Sequence, residues 1–255
     1  MAGRDRTLHW DGCLNVRDLG GHATSGGGHT RFGAIVRADS VRGLSDAGWA
    51  ALVGHGVSRI VDLRFQSELD ADPPAELPVE LVHVSLLGDN ADPEFQTAID
   101  ALDTTRDVYL EFLERFRPRF AEAVAAVAAA PPGAVVVHCH GGKDRTGLVA
   151  ALLLRLAGVE PGPIADDYAL SATNLEAVQS EWIAAAPDET ERARRRRISE
   201  TPREAMLEVL QELERRYGGV REYLLAGGAS EADVDRARAR LLVRTAAGHV
   251  EGLGA

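Results

Sequence analysis

Lysine is all but missing from this chain: of 28 basic side chains 27 are arginine, and the single lysine is Lys143. Cysteine is nearly as scarce. Cys13 and Cys139 are the whole supply, too few for a disulfide framework, so a reducing, cytoplasmic setting is expected. Positive charge is in deficit, with 28 basic against 39 acidic side chains and a net charge of −11. That balance argues against a nucleic-acid binder, so any anion must be gripped locally. Ala121 to Ala130 is largely apolar but far shorter than a bilayer span. Met1 to Trp10 carries Arg4, Asp5 and Arg6 and no apolar run, which is not the pattern of an export signal. No Gly-x-Ser-x-Gly elbow is found, and Gly142-Lys143 is followed by Asp144 rather than Ser or Thr, which excludes the nucleotide-binding phosphate loop.

What is present is a chain of 255 residues, 45% hydrophobic and 26% charged, able to bury a full core. Short β-branched runs alternate with helical patterns, so we expect an α/β domain with helices around a central, mostly parallel sheet. Residues 15–40, rich in glycine, read as a hairpin or edge strands. Ser45-Asp46 caps a helix ending near Gly54 or Gly56. Val57 to Leu63 and Ala134 to His138 read as buried strands and Val79 to Leu86 as a half-buried one, while Pro73, Pro74 and Pro78 break any helix between. Thr105 to Ala130 is helical with a kink at Pro118. Leu148 to Leu156 is apolar on nearly every face and so central. Beyond Gly158 the chain reads as helices over 164–171, 174–185, 204–217, 220–226 and 231–243, with a charged segment, 188–203, between the second and third. No repeat or linker interrupts the chain, so one domain is expected over 1–255, with a helical appendage at about 174–217 that could act as a lid.

The chemistry concentrates in His138-Cys139-His140-Gly141-Gly142-Lys143-Asp144-Arg145-Thr146-Gly147, which joins a strand to an apolar helix. A thiol and a guanidinium stand at opposite ends of one tight loop. If the loop curls around an anion, the backbone N–H groups of His140, Gly141, Gly142 and Lys143 and the helix dipole supply positive potential. Arg145 can hold two phosphate oxygens at once, and the same field favours the thiolate of Cys139. A thiolate beneath a phosphate is a nucleophile, and Thr146 is placed to hydrogen-bond the sulfur as it leaves. No metal or organic cofactor is needed. A buried structural thiol is the plain alternative for Cys139, but it does not explain the arginine, the glycines and the helix start together. His138 closes the strand and His140 lies within the loop, and a shared metal is not expected; His138 is expected to orient the loop.

This loop resembles the signature of the cysteine-dependent protein tyrosine phosphatases. Its Lys-Asp-Arg ending, with Asn15-Val16-Arg17-Asp18-Leu19-Gly20-Gly21, Val61-Asp62-Leu63-Arg64, Asp167-Tyr168-Ala169-Leu170-Ser171 and Tyr217-Gly218-Gly219-Val220, is similar to the atypical bacterial group that includes mycobacterial enzymes. The likeness runs from about Leu14 to Leu242. It implies the tyrosine-phosphatase fold and hydrolysis of phosphotyrosine in proteins. In that group the loop lysine, here Lys143, accompanies activity on phosphoinositides, and the loop aspartate, here Asp144, has been considered essential. It also implies that the helical lid covers the site.

The general acid stays open at this stage, because the Trp-Pro-Asp loop of ordinary tyrosine phosphatases is missing. Asp144 stands first. Asp62 comes second, at the end of a strand that points into the site, although Asp62-Leu63-Arg64 could equally be a strand end with an ion pair. Asp89 and Asp92, in the loop after the third strand, come third. The arginine run Arg192 to Arg197 reads as a solvated face, or as a lid surface that attracts anions. The reading is thus a tyrosine phosphatase working through a cysteinyl-phosphate, with dual or phosphoinositide specificity. A dedicated phosphoinositide phosphatase and a silent phosphate-binding module are the rivals.

Overall fold

Ala134–His138 (β5) forms the central strand, and all five residues are buried. An unbroken AVVVH run, rather than an alternating one, is what a strand covered on both faces requires. In the computed structural model, which describes residues 5–72, 79–88 and 93–243, four further strands join it: Arg17–Asp18 (β1), Ile35–Ala38 (β2), Val57–Asp62 (β3) and Glu80–His83 (β4). The order is β1-β2-β5-β3-β4. All neighbours are parallel except β1, which lies antiparallel on the β2 edge. His138 pairs with Ala38 on one side and Asp62 on the other. The three strands therefore end level, and the next residue of each, Asp39, Cys139 and Leu63, emerges at one edge, where parallel sheets build their sites.

Helices cover both faces. Asp46–Gly54 (α1), capped by the Ser45 side chain as expected, closes one face over Trp10, Val36, Leu52 and Ile60. The other face carries the larger core, built with Thr105–Arg115 (α4), Arg117–Ala128 (α5), Asp144–Leu156 (α6), Arg203–Tyr217 (α9), Val220–Ala226 (α10) and Glu231–Leu241 (α11). Pro118 opens α5, where a missing N–H costs nothing. In α6 ten of 13 residues are buried, as its apolar pattern demands. Among the described residues no helix is long and apolar enough to cross a membrane.

Several elements depart from the sequence reading. The two helices expected over 164–171 and 174–185 are one, Pro161–Ala184 (α7). No Gly or Pro breaks residues 172–173, and the Ser171 hydroxyl is tied inward to Asn15 and Arg17. The charged segment is itself a helix, Glu189–Ser199 (α8), none of it buried. Asp188 caps it, and Glu189–Arg192 and Glu191–Arg195 pairs at helical spacing support it. Two short helices, Gln66–Ala71 (α2) and Pro93–Asp100 (α3), have no counterpart in the reading, and the third strand is trimmed to β4 at the sheet edge.

Candidate active site

Cys139 follows β5 directly and Arg145 lies in the first turn of α6, so the loop between them is held by a fully buried strand and a largely buried helix. Four successive carbonyls of this loop point into the scaffold. Cys139 O accepts from His138 Nδ1 at 3.0 Å, His140 O from the Ser40 N–H at 2.8 Å, Gly141 O from Asn15 Nδ2 at 3.1 Å and Gly142 O from Arg37 Nη2 at 2.7 Å. In a trans peptide the following N–H points the opposite way. The N–H groups of His140, Gly141, Gly142 and Lys143 therefore face the inside of the loop, and among the described residues none donates a hydrogen bond. Four such donors at a helix N-terminus form a cradle of the kind that can hold an anion.

Gly142 is required for this shape. Its φ is +65°, and a Cβ there would stand 2.4 Å from Ala38 O. Arg37, which holds Gly142 O, is itself bonded to Asp167 Oδ2 at 2.8 Å, and Arg17 and Arg6 reach Asp167 Oδ1 at 3.1 and 2.8 Å. Burial alone would raise the proton affinity of Asp167, but the three arginines hold its carboxyl far below the ordinary range. Arg17 also donates to Asn15 Oδ1 at 2.6 Å. The Asn15-Val16-Arg17 and Asp167 motifs thus form the underside of the cradle.

Arg145 lies beside it with its side chain 12% exposed. Glu68, from α2, accepts from Nη1 at 2.5 Å and from Nη2 at 3.0 Å, and the Phe65 ring lies 4.5 Å below the guanidinium. Burial opposes the charge, yet Cys139 and Glu68 together hold Arg145 protonated more firmly than an ordinary arginine. Asp144 Oδ1 accepts from Tyr109 Oη at 2.5 Å and meets Lys143 Nζ at 2.9 Å; Tyr109 in turn shares a 2.8 Å hydrogen bond with Tyr168. Burial, then the neighbouring Asp144, pushes the Tyr109 phenol well above its usual range, so it stays a donor.

The remaining candidates are distributed unevenly. Asp62 is 1% exposed and gives both oxygens to Arg64, at 2.9–3.1 Å. Burial raises its proton affinity, but the hydrogen bonds and charge of Arg64 outweigh that and hold its carboxyl below the ordinary range; His138 Nε2 stands 3.6 Å away. His138 is fully buried, and burial holds it neutral against the pull of Asp62. His140 is largely exposed, with Nδ1 3.9 Å from Glu68. Thr146 departs from expectation: its hydroxyl, fully buried, makes no hydrogen bond, so the expected bond to sulfur is not formed. Asp89 and Asp92 lie outside the described residues. Cys13 donates to Ser40 O at 3.4 Å, and burial, then Asp39, pushes its thiol far up, leaving it inert.

A cavity of about 610 Å³ opens on Cys139. One wall is α7, through Leu175, Val178 and Trp182, and another is the end of α8, through Ile198 and Ser199. A second cavity, about 270 Å³ and mostly apolar, lies across Asp144 and Arg145, with Phe65 and Phe112 inside and Arg194 and Arg197 on its wall.

The comparisons agree with this geometry. The model of the tyrosine phosphatase family matches residues 8–243. The chain belongs to the tyrosine phosphatase family. It is 32% identical to a tyrosine-protein phosphatase of Nostoc commune over 225 residues, 82% of this chain and 74% of that one. It is 30% identical to the triple specificity protein phosphatase PtpB of Mycobacterium tuberculosis over 274 residues, 91% of this chain and 97% of that one. Within this phosphatase, sequence reasoning missed Glu68, Tyr109, Tyr168 and Arg37 as parts of the site. Only Tyr168 had a local signal, the Asp167-Tyr168-Ala169-Leu170-Ser171 motif.

Proposed function

We propose that this phosphatase hydrolyses phosphomonoesters through a cysteinyl-phosphate intermediate, with phosphotyrosine in proteins as its main substrate. The observation that carries this reading is the set of four inward, unpaired N–H groups between Cys139 and Arg145. The phosphate sits in that cradle. Its remaining oxygens take the Nε edge of Arg145, since Glu68 already occupies the Nη1–Nη2 end. Cys139 Sγ attacks phosphorus and the P–O ester bond breaks. The leaving oxygen takes a proton from Asp144. Oδ1 of Asp144 carries both Tyr109 and Lys143, which leaves Oδ2 as the oxygen through which the proton passes. Water then attacks phosphorus and yields its proton to Asp144 while the P–S bond breaks. Asp62 holds Arg64 and His138 rather than touching substrate.

Phosphoserine, phosphothreonine and phosphoinositides form a second reading. It is favoured by Arg194 and Arg197 on the wall of the neighbouring cavity, where a second anionic group fits, and by the triple specificity in the name of the mycobacterial relative. The test is phosphate release, with chelator present, by wild type, Cys139→Ser and Arg145→Lys from matched phosphotyrosine, phosphoserine, phosphothreonine and phosphoinositide substrates. Loss of turnover in Cys139→Ser with phosphate binding retained supports the mechanism. Retained turnover overturns it, and the substrate ranking decides between the two readings.

A further inference from the structure

The single lysine of the chain does not point at the place where a phosphate would sit. Lys143 Nζ donates to Ile198 O at 2.8 Å and to Glu200 O at 2.9 Å, and its third contact is Asp144 Oδ1 at 2.9 Å. Ile198 and Glu200 are the last turn and the cap of α8. Helix C-termini leave carbonyls without partners, and an ammonium at that end satisfies them and meets the negative pole of the dipole. Lys143 itself is 5% exposed, so these bonds are made away from water.

The helix so held has little else to keep it in place. None of α8 is buried. At its other side Arg195 reaches back to α7, donating to Trp182 O at 2.6 Å and lying 4.9 Å over the Trp182 ring. Between these two attachments, α7 and α8 wall the cavity over Cys139 with Leu175, Val178, Trp182 and Ile198. The last three are more than 40% exposed, an apolar surface that faces the cavity rather than a core.

We infer that Lys143 is the latch of this flap: its ammonium fastens the C-terminus of α8 to the catalytic loop and holds α8, with the exposed C-terminal end of α7, across the mouth of the Cys139 cavity. A compact point charge with three rotatable donors suits a contact to two carbonyls and one carboxylate, which the planar fork of arginine does not match. That gives a physical reason for one lysine among 27 arginines. Opening the flap frees the same ammonium beside Asp144, where a substrate bearing an anionic group beyond the phosphate under attack would take it. Such a substrate opens the flap and replaces its latch in one exchange. This last step rests on the proposed function; the latch itself does not.

The experiment reads flap opening without reading catalysis. Trypsin has abundant sites in Arg192 to Arg197, and iodoacetamide reports access to Cys139. In Lys143→Met, scission within 188–203 and alkylation of Cys139 are expected to accelerate about tenfold or more, because the bonds of a charged donor are lost. Unchanged rates in a folded variant overturn the latch. Linkage supplies a second arm on protein that keeps its lysine. With one lysine, acylation by an N-hydroxysuccinimide ester, followed by peptide mass, reports Lys143 alone among side chains. Arg195→Ala, which loosens the far attachment, is expected to speed acylation of Lys143 several-fold. Equal acylation of Arg195→Ala and wild type overturns the proposal even if Lys143→Met does not fold. Loss of turnover in Cys139→Ser is a separate result, so failure of the latch and failure of the mechanism are distinguishable.

Discussion

Glu68 grips Arg145 by the end of its guanidinium, with two hydrogen bonds of 2.5 and 3.0 Å between side chains 77 residues apart in the chain. A carboxylate beside an anion site reduces the local positive charge, so the pairing must be justified by geometry. It fixes a long side chain in one rotamer and occupies the Nη1–Nη2 end, so the Nε edge is the one left for an anion. Glu68→Gln is expected to lower kcat/KM about tenfold to a hundredfold with Cys139 alkylation unchanged, since misplacing a catalytic group by about 1 Å has that order of effect. Kinetics equal to wild type would show that the Phe65 ring and the Leu63 carbonyl, 3.5 Å from Nη1, suffice to place Arg145.

Asp144 and Asp62 separate by the kind of damage their loss causes. Asp144→Asn is expected to depress turnover of alkyl phosphates, whose leaving groups need a proton, far more than that of aryl phosphates with acidic leaving groups. An equal loss for both would move the acid role elsewhere. Asp62→Asn breaks a buried pair with Arg64 and is expected to cost about 3–5 kcal/mol of stability by denaturant unfolding, without that leaving-group dependence.

Gly142→Ala tests the cradle itself. At φ +65° and with Ala38 O 2.4 Å from the added methyl, the loop must distort. Phosphate affinity should fall at least about tenfold while the fold survives with a loss on the order of 1–3 kcal/mol. Calorimetric titration with inorganic phosphate on the Cys139→Ser background reads the effect directly, and unaltered affinity would sink the cradle.

Acid sensitivity should appear well above the carboxylate range. Burial, then Arg6, lowers His22 from 6.5 to about 4, so below pH 6.5 the unfolded chain takes up a proton that the folded one refuses. Stability is therefore full above pH 6.5 and drains away as the pH falls toward 4, by up to about 3 kcal/mol. His138, lowered in the same direction, adds to the slope. Melting temperatures across this window should fall for wild type and fall less steeply for His22→Asn. Identical slopes would show that His22 is not held neutral.

The parts of the site that lie within one stretch of chain were legible in the sequence. Strand, cysteine, glycine-containing turn, arginine and helix start are contiguous from Ala134 to Leu156, and each has a local signature. Strands β3 and β5 and the capped α1 were readable for the same reason. The helix in the arginine-rich segment was missed because its support comes from ion pairs rather than an apolar face, and the single α7 because Ser171 is bonded to a distant part of the chain.

Sequence alone determined that a thiol and a guanidinium would frame one loop between a buried strand and a helix N-terminus, because peptide geometry and helix polarity act over a few neighbouring residues. Only the tertiary structure decided who holds that loop: Asn15 beneath Gly141, Arg37 and Asp167 beneath Gly142, Glu68 on Arg145, Tyr109 on Asp144 and α8 on Lys143. These partners lie tens of residues or more away in the chain. They meet because three parallel strands end level at His138, and no local pattern records which side chains long-range packing will bring to that edge.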